Sequence, residues 1–434
     1  MKRRHFPWLV SGSAAVPLAA MLGLAVVAAV PAARAGDYGT VGADARLRYE
    51  TADMDGLRDG RNLSARLRLG YTTPTWEGLQ ALVEGEFTGV TDEDWYNAAG
   101  VHGDPARAVI ADPKNAQLDQ ALVSYTYGDG NVKVGRQVIA LDNHRFIGDS
   151  AWRQNRQTYD AVAARCGAVE NLQLFYAYVD NVVRVYGSDA PASGANAEEA
   201  DSSSHLINAA YKVSDQLSVT AYSYLLDLKD IPPTSSADSY GAIVQGTVPV
   251  RDVATLACRA EAARQTDAGN NPLDYTADYY HLSVDADVKV VTVGAGYEVL
   301  GAEDTGVRDE KGAPVFASFQ TPLATLHKFN GFADRFLVTP PKGLEDRYVS
   351  LGGKVPMPLE LGPLSAAVIY HDFASAEGSD DLGTEWDGVL TKPLKFKSIP
   401  GEFKVIGKVA FYQKNDTGAD TDRASLELNY GTTF

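Results

Sequence analysis

Along most of this chain polar and apolar residues alternate with a period of two, while the spacings of three and four that mark a helix are rare beyond the first 35 residues. The last eleven residues show the pattern plainly. Leu426, Leu428, Tyr430, Thr432 and Phe434 share one parity, and Ser425, Glu427, Asn429 and Gly431 share the other. That spacing predicts a strand with one mostly apolar face and one polar face, ending on an aromatic. The same reading predicts strands at 42–52, 60–72, 78–88, 116–127, 131–140, 157–167, 171–180, 204–213 and 216–228, and again at 238–248, 252–264, 274–287, 288–300, 343–354, 363–374, 383–396, 401–413 and 423–434. Together these make eighteen strands.

The connections sort into two kinds. Gly128-Asp129-Gly130, Gly167-Ala168-Val169-Glu170, Ser214-Asp215 and Asp285-Ala286-Asp287 are short and carry turn chemistry. Residues 89–115, 141–156, 181–203 and 301–342 are long, and the two kinds are expected to alternate without exception. An all-β, up-and-down antiparallel barrel crossing a membrane requires this, with short periplasmic turns, long extracellular loops and both termini on the periplasmic side. A soluble solenoid or lectin-like sandwich requires neither that alternation nor an aromatic terminus.

The first 35 residues read differently. Lys2, Arg3 and Arg4 precede an apolar run from Ala14 to Val30, and Ala33-Arg34-Ala35 forms a small-x-small cleavage site. Residues 1–35 are therefore expected to be a cleaved signal peptide and 36–434 the barrel. No later stretch offers the ~20 continuous apolar residues of a spanning helix, and an alternating barrel strand is invisible to such a count. Removing the signal takes four cations and no acid from a formal charge of −17, leaving −21. That balance argues against a nucleic-acid partner. Cys166 and Cys258 fall on separate strands and are expected to stay unpaired.

Parity also assigns faces. Ala45, Leu47 and Tyr49 should face lipid and leave Asp44, Arg46, Arg48 and Glu50 in the lumen; Leu63 to Tyr71 likewise leave Arg66 and Arg68 inside. Glu84 and Glu86 follow on the third strand, and Lys404, Lys408 and Arg423 come from the last two. Closure places first and last strands side by side, so Arg46, Arg48, Arg66, Arg68, Lys404, Lys408 and Arg423 are expected on one basic arc with Glu84 and Glu86 next to it. Such an arc concentrates anions, and the arginine fork suits carboxylates. Arg–Glu pairs that merely stiffen the wall use the same residues. Arg136 shares parity with Val132, Val134 and Val138, which aims it at lipid unless a bulge at Gly135 turns it or it snorkels at the interface. The loop from Leu141 to Gln157 carries Arg145, Trp152, Arg153 and Arg156 and is expected to narrow the mouth; the 301–342 loop, with Leu326, His327, Phe329, Phe332 and Phe336, is expected to pack over or into the barrel.

Two stretches carry a family likeness: Gln117 to Val162, with GRQ, DNHRFIG and WRQNRQTYDA, and Thr321 to Leu351, with LHKFNGFADRFL. Both resemble the alginate-export family of outer-membrane porins, and a closing strand ending in Phe434 resembles the C-terminal signal of outer-membrane barrels. The likeness implies an eighteen-stranded monomer with a water-filled lumen, and an arginine-rich one suits a polyuronate. The expected function is passive diffusion of small hydrophilic, anionic or carbohydrate solutes, without a cofactor. Expected partners are outer-membrane lipid and lipopolysaccharide, and the barrel-assembly machinery through the last strand. Rival readings are a polyuronate export pore working with a periplasmic secretion partner, an outer-membrane enzyme, and a structural barrel. No HExxH, CxxC or GxSxG motif appears, and Asp53, Asp55 and Asp59 lack the distal Glu of a calcium loop.

Overall fold

The computed structural model describes residues 38–434 except 252, 356–361, 379 and 397–398; the expected signal peptide lies outside the described residues. The alternating segments become long strands. The first half of the wall is β1 (Thr40–Met54), β2 (Gly60–Thr72), β3 (Leu79–Val90), β4 (Asn115–Tyr127), β5 (Gly130–Gln137), β6 (Thr158–Val169), β7 (Leu172–Val183), β8 (Glu199–Lys212) and β9 (Leu217–Leu226). It continues with β10 (Ala237–Val250), β11 (Ala254–Asp267), β12 (Thr276–Val288) and β13 (Val291–Leu300). A hairpin of β14 (Ala302–Arg308) and β15 (Pro314–Ser318) stands apart in the next loop. The wall then resumes with β16 (Leu344–Val355), β17 (Leu364–Ala374), β18 (Asp381–Leu394), β19 (Glu402–Gln413) and β20 (Thr421–Thr433).

Among the described residues eighteen strands form one antiparallel sheet in which each pairs with its chain neighbours and β1 also pairs with β20, so the barrel closes without an edge. Two backbone hydrogen bonds between Val41 and Phe434, at 3.1 and 2.9 Å, complete the seam. The expected all-β barrel of eighteen strands is what the chain forms. No helix among the described residues is long and apolar enough to cross a membrane; strands do the crossing.

Three expectations need correction. Asp285-Ala286-Asp287 is not a turn: β12 runs on to Val288, Asp287 pairs with Thr292, and Lys289, at φ 59°, makes the reversal with Val290. Both acids face the lumen, where a strand tolerates them. Gly167 to Val169 likewise stay in β6, leaving Glu170 and Asn171 to turn, with Asn171 at φ 62°. The alternation of loop lengths has exceptions: on the long-loop side 55–59 is shorter than 73–78 on the other, and 375–380 is shorter than 395–401.

The outer face is a belt of exposed apolar side chains, among them Val83, Phe87, Val123, Val134, Ile207, Val244, Leu282, Leu351 and Leu390. A face this apolar is suited to lipid and not to water. Toward the long-loop rim the belt gives way to outward ion pairs: Arg264 with Asp278 at 2.8 Å, Arg347 with Glu345 at 2.6 Å, and Arg136 with Asp160. The doubt over Arg136 resolves here. The pairing of β5 runs through Gly135 without a register shift, so Arg136 stays on the outer face, one residue from the strand end. Its fork donates to both Asp160 oxygens at 2.8 and 2.7 Å. Cys166 and Cys258 are unpaired and exposed.

Three long connections fold inward, 91–114, 138–157 and 301–343. Phe146 from the second packs against Tyr222, Tyr279 and Phe319 at 5.2–5.6 Å, and Phe336 from the third packs against Phe373 at 4.7 Å. These aromatics join the inward residues of β6 to β13, β17 and β19 in one apolar core that fills that side of the lumen. The loop expected to pack into the barrel does so, and the cations of β19, β20, β1 and β2 stand on the remaining wall.

Candidate functional site in the lumen

The strand register sorts that polar wall into rows. Lys404 of β19 faces Asn429 of β20, Asn429 faces Arg46 of β1, and Arg46 faces Arg66 of β2. One row toward the short turns lie Glu402, Asp44, Arg68 and Glu86; one row toward the long loops lie Glu427, Arg48 and Ser64. The flanking rows carry acids and bases together. The Lys404–Arg46–Arg66 row carries three cations and no acid of its own.

Arg46 donates through Nε to Asn429 Oδ1 at 2.7 Å and through Nη1 to the carbonyls of Ala151, Trp152 and Arg153 at 3.1, 2.9 and 3.2 Å. Its nearest acid is Glu427, at 3.4 Å. Arg66 pairs with Asp44 through Nη2, while its buried Nε and Nη1 have no hydrogen-bond partner among the described residues. Facing like charges across a strand pair repel, so this row needs anionic compensation. Lys404 is exposed and has no ion pair among the described residues.

The other predicted residues are more fully matched. Arg48 reaches Asp112 at 2.8 Å and Glu427 at 2.9 Å, and lies 4.0 Å over the Trp152 ring. Arg68 pairs with Glu86 at 2.5 Å and sits 3.6 Å from Asp119. Arg156 pairs with Asp119 at 2.5 Å and with Glu84. Arg423 reaches Glu50 at 2.8 Å and the carbonyls of Ala333 and Val109 at 3.1 and 2.9 Å. Lys408 has no carboxylate partner among the described residues; its ammonium lies over Trp152 and Phe332 at 4.0 and 4.5 Å. Arg153 pairs with Asp334 at 2.8 Å. Arg145 stands apart from the arc, held by Glu298 at 2.7 Å and by Thr321 and Asn330 at 3.1 Å each. The structure thus gathers the predicted strand cations on one wall and brings the backbone of 151–154 against them, while Arg145 belongs to the opposite side.

Sequence reasoning placed Asp44, Glu50, Glu84 and Glu86 in the lumen but missed other acids. Asp112 is in a loop, and burial pushes its carboxyl up while Arg48 and Arg153 pull harder, leaving it below the usual range. Asp334 is likewise opposed by burial yet held below that range by the Arg153 guanidinium and a hydrogen bond from His327. Burial drives His327 down to about 3, so its imidazole is neutral. Glu298, Asp346, Glu385 and Asp387 continue the wall on β13, β16 and β18, all buried. For Glu385 and Asp387 a signal existed: they alternate with Trp386 in a run whose apolar parity faces outward. Among the described residues no group of His, Cys, Asp or Glu is arranged to hold a metal.

A model of the alginate-export family matches residues 37–283. Among solved structures, OccAB4 of Acinetobacter baumannii superposes with a TM-score of 0.69 at 16% identity, covering 92% of this chain and 98% of that one. OccK11 (OpdR) of Pseudomonas aeruginosa gives 0.65 at 15%, covering 92% and 98%, and OpdL of the same organism gives 0.65 at 16%, covering 91% and 99%. These are outer-membrane porin barrels, and this chain shares their fold. No curated protein matches it by sequence.

Proposed function

Because the chain belongs to the alginate-export family, we propose that it is an outer-membrane porin through which small hydrophilic anions, sugar acids among them, diffuse passively. The observation that carries this reading is the row of Lys404, Arg46 and Arg66, three cations with no acid in the row itself, in which Lys404 has no ion pair among the described residues and Arg46 and Arg66 lean on Glu427 and Asp44 of the flanking rows. In a narrow lumen such a row raises the local concentration of anions and lowers that of cations. Lys404 is open to a passing solute, Arg46 partly so, and buried Arg66 acts through its field. Attraction of this kind is weak and spread over several groups, so a solute is drawn in and released. No step requires a cofactor.

The outward ion pairs near the long-loop rim lie where lipopolysaccharide headgroups would meet the barrel, and the final strand would present Phe434 to the assembly machinery. A second reading, export of a polyuronate with a periplasmic partner, is favoured by the family's description and uses the same row. The fold shared with porins ranks both above an enzyme or a purely structural barrel. The test is the reversal potential across a salt gradient for K404Q/R46Q/R66Q beside the native barrel. Loss of anion preference supports the proposal, and unchanged selectivity removes the row from the mechanism.

A further inference from the structure

The tip of the inward loop, residues 330–334, has an unusual backbone. Asn330 and Gly331 are consecutive left-handed residues at φ 55° and 87°, and Asp334 follows at 58°. The turn they make aims the successive N–H groups of Phe332 and Ala333 at the wall, a concavity that suits an anion. Wall carboxylates fill it. The Phe332 N–H donates to Asp387 Oδ2 at 3.0 Å and the Ala333 N–H donates to Glu385 Oε1 at 2.7 Å. The approach is so close that a Cβ on Gly331 would collide with the Glu385 carboxylate. The Asn330 amide adds bonds to Glu298 Oε2 at 2.6 Å and Asp346 Oδ2 at 3.1 Å.

Glu385 and Asp387 occupy adjacent inward positions of β18 and are 0% and 2% exposed. Among the described residues neither forms an ion pair with arginine or lysine. His371 of β17 stands beside them, with Nε2 3.6 Å from Asp387 and Nδ1 2.9 Å from Asp346 of β16. Lys408 of β19 lies over Phe332. The loop contributes Asp334, His327 and Arg335; Arg153, Arg145 with Glu298, Glu50 and Arg423 complete the charged surroundings. Two neighbouring carboxylates buried without an arginine or lysine ion pair among the described residues are costly to hold. Their placement is explained if the contact is meant to break.

We propose that residues 326–336 form a gate closed by this carboxylate latch, so that neutralising Glu385 and Asp387 releases the tip and opens the lumen; the proposal rests on the porin reading above. Acid would act in the same direction, by removing the anion that the N–H groups grip. His371, between Asp346 and Asp387, also responds to acid, so substitution is the cleaner test.

Single-channel recording of E385Q/D387N is the experiment, repeated in a barrel whose 329–334 tip is replaced by a short Gly-Ser linker. G331A serves as the second latch variant, because it blocks the close approach and leaves every lumen charge in place. Each latch variant is expected to raise the open fraction about tenfold or more, the effect of losing a single charge-assisted hydrogen bond, and to change nothing once the tip is gone. If E385Q/D387N acts equally with and without the tip, the carboxylates are lumen charges and the gate is overturned. If neither latch variant changes the intact barrel, the gate is also overturned. A folded tip-less barrel that carries no current would overturn the pore reading itself, and the gate with it.

Discussion

Asp334→Asn is the most informative single change to the inward loop. Asp334 is buried, 2.8 Å from Arg153 Nη2 and 2.7 Å from His327 Nδ1, with Arg423 at 3.9 Å. Asparagine keeps the shape and tolerates the left-handed backbone at φ 58°, so the substitution isolates the charge. It strands the buried Arg153 guanidinium, and breaking a buried pair costs about 3–5 kcal/mol. That cost falls on the attachment of the loop and leaves the ladder of the wall untouched. Trp152 reports it, because its ring stacks on His327 at 3.7 Å with an interplanar angle of 4°. With Trp76, Trp95 and Trp386 changed to Phe, the Trp152 fluorescence transition in denaturant should move earlier by that amount while the far-ultraviolet signal of the strands stays put. The pH dependence has a definite sign. His327 is lowered to about 3, so stability is full above 6.5 and declines as pH falls toward 3 and the released loop takes up the proton that the buried ring refuses. Asp334 is held below 3.8, and its contribution is lost in still stronger acid. A D334N shift under about 1 kcal/mol, or one shared by the whole barrel, would refute the reasoning.

Other perturbations probe separate features. Gly148→Ala places a Cβ 2.8 Å from the Thr325 amide nitrogen where the two inward loops meet; it should cost about 1–3 kcal/mol, read as an earlier Trp152 transition. Leu282→Arg, at the middle of β12 on the lipid face, should destabilise by about 2–4 kcal/mol and lower the yield of folded barrel, whereas Arg136→Gln at the rim should be tolerated. Arg66→Gln should reduce anion preference without loss of folded protein, since it relieves a like-charge pair with Arg46; a rise in anion preference would contradict the field assigned to the row. Deleting Phe434 removes both hydrogen bonds that tie it to Val41 and should slow assembly of folded barrel measured in vivo.

The wall was legible because its physics is local. A period of two decides which side chain meets lipid, and Arg46, Arg48, Arg66 and Arg68 stand where parity puts them. Turns were less legible. Asp285 and Asp287 look like turn residues, yet they take the inward parity of the last turn-side positions of β12, and Lys289 supplies the left-handed turn without the usual glycine or asparagine. The inward loops hid most of the site. Nothing in the spacing of Asp112 or Asp334 shows that one will meet Arg48 and the other Arg153, because those contacts join residues 64 and 181 positions apart. Arg145 carried no parity, lying in a loop, and fell on the opposite side from the arc. The backbone carbonyls that occupy Arg46 could not be read from side-chain chemistry at all.

The central claim, an open passage that favours anions, is tested most directly by single-channel current through the purified native barrel in a planar bilayer, with reversal potential taken across a salt gradient. Discrete open steps with a reversal potential shifted toward the anion, and block by added uronate, are the predicted result. Discrete steps with cation preference would contradict the role of the Lys404–Arg46–Arg66 row, and a folded barrel that never conducts, with its 329–334 tip in place or replaced, would contradict the porin itself.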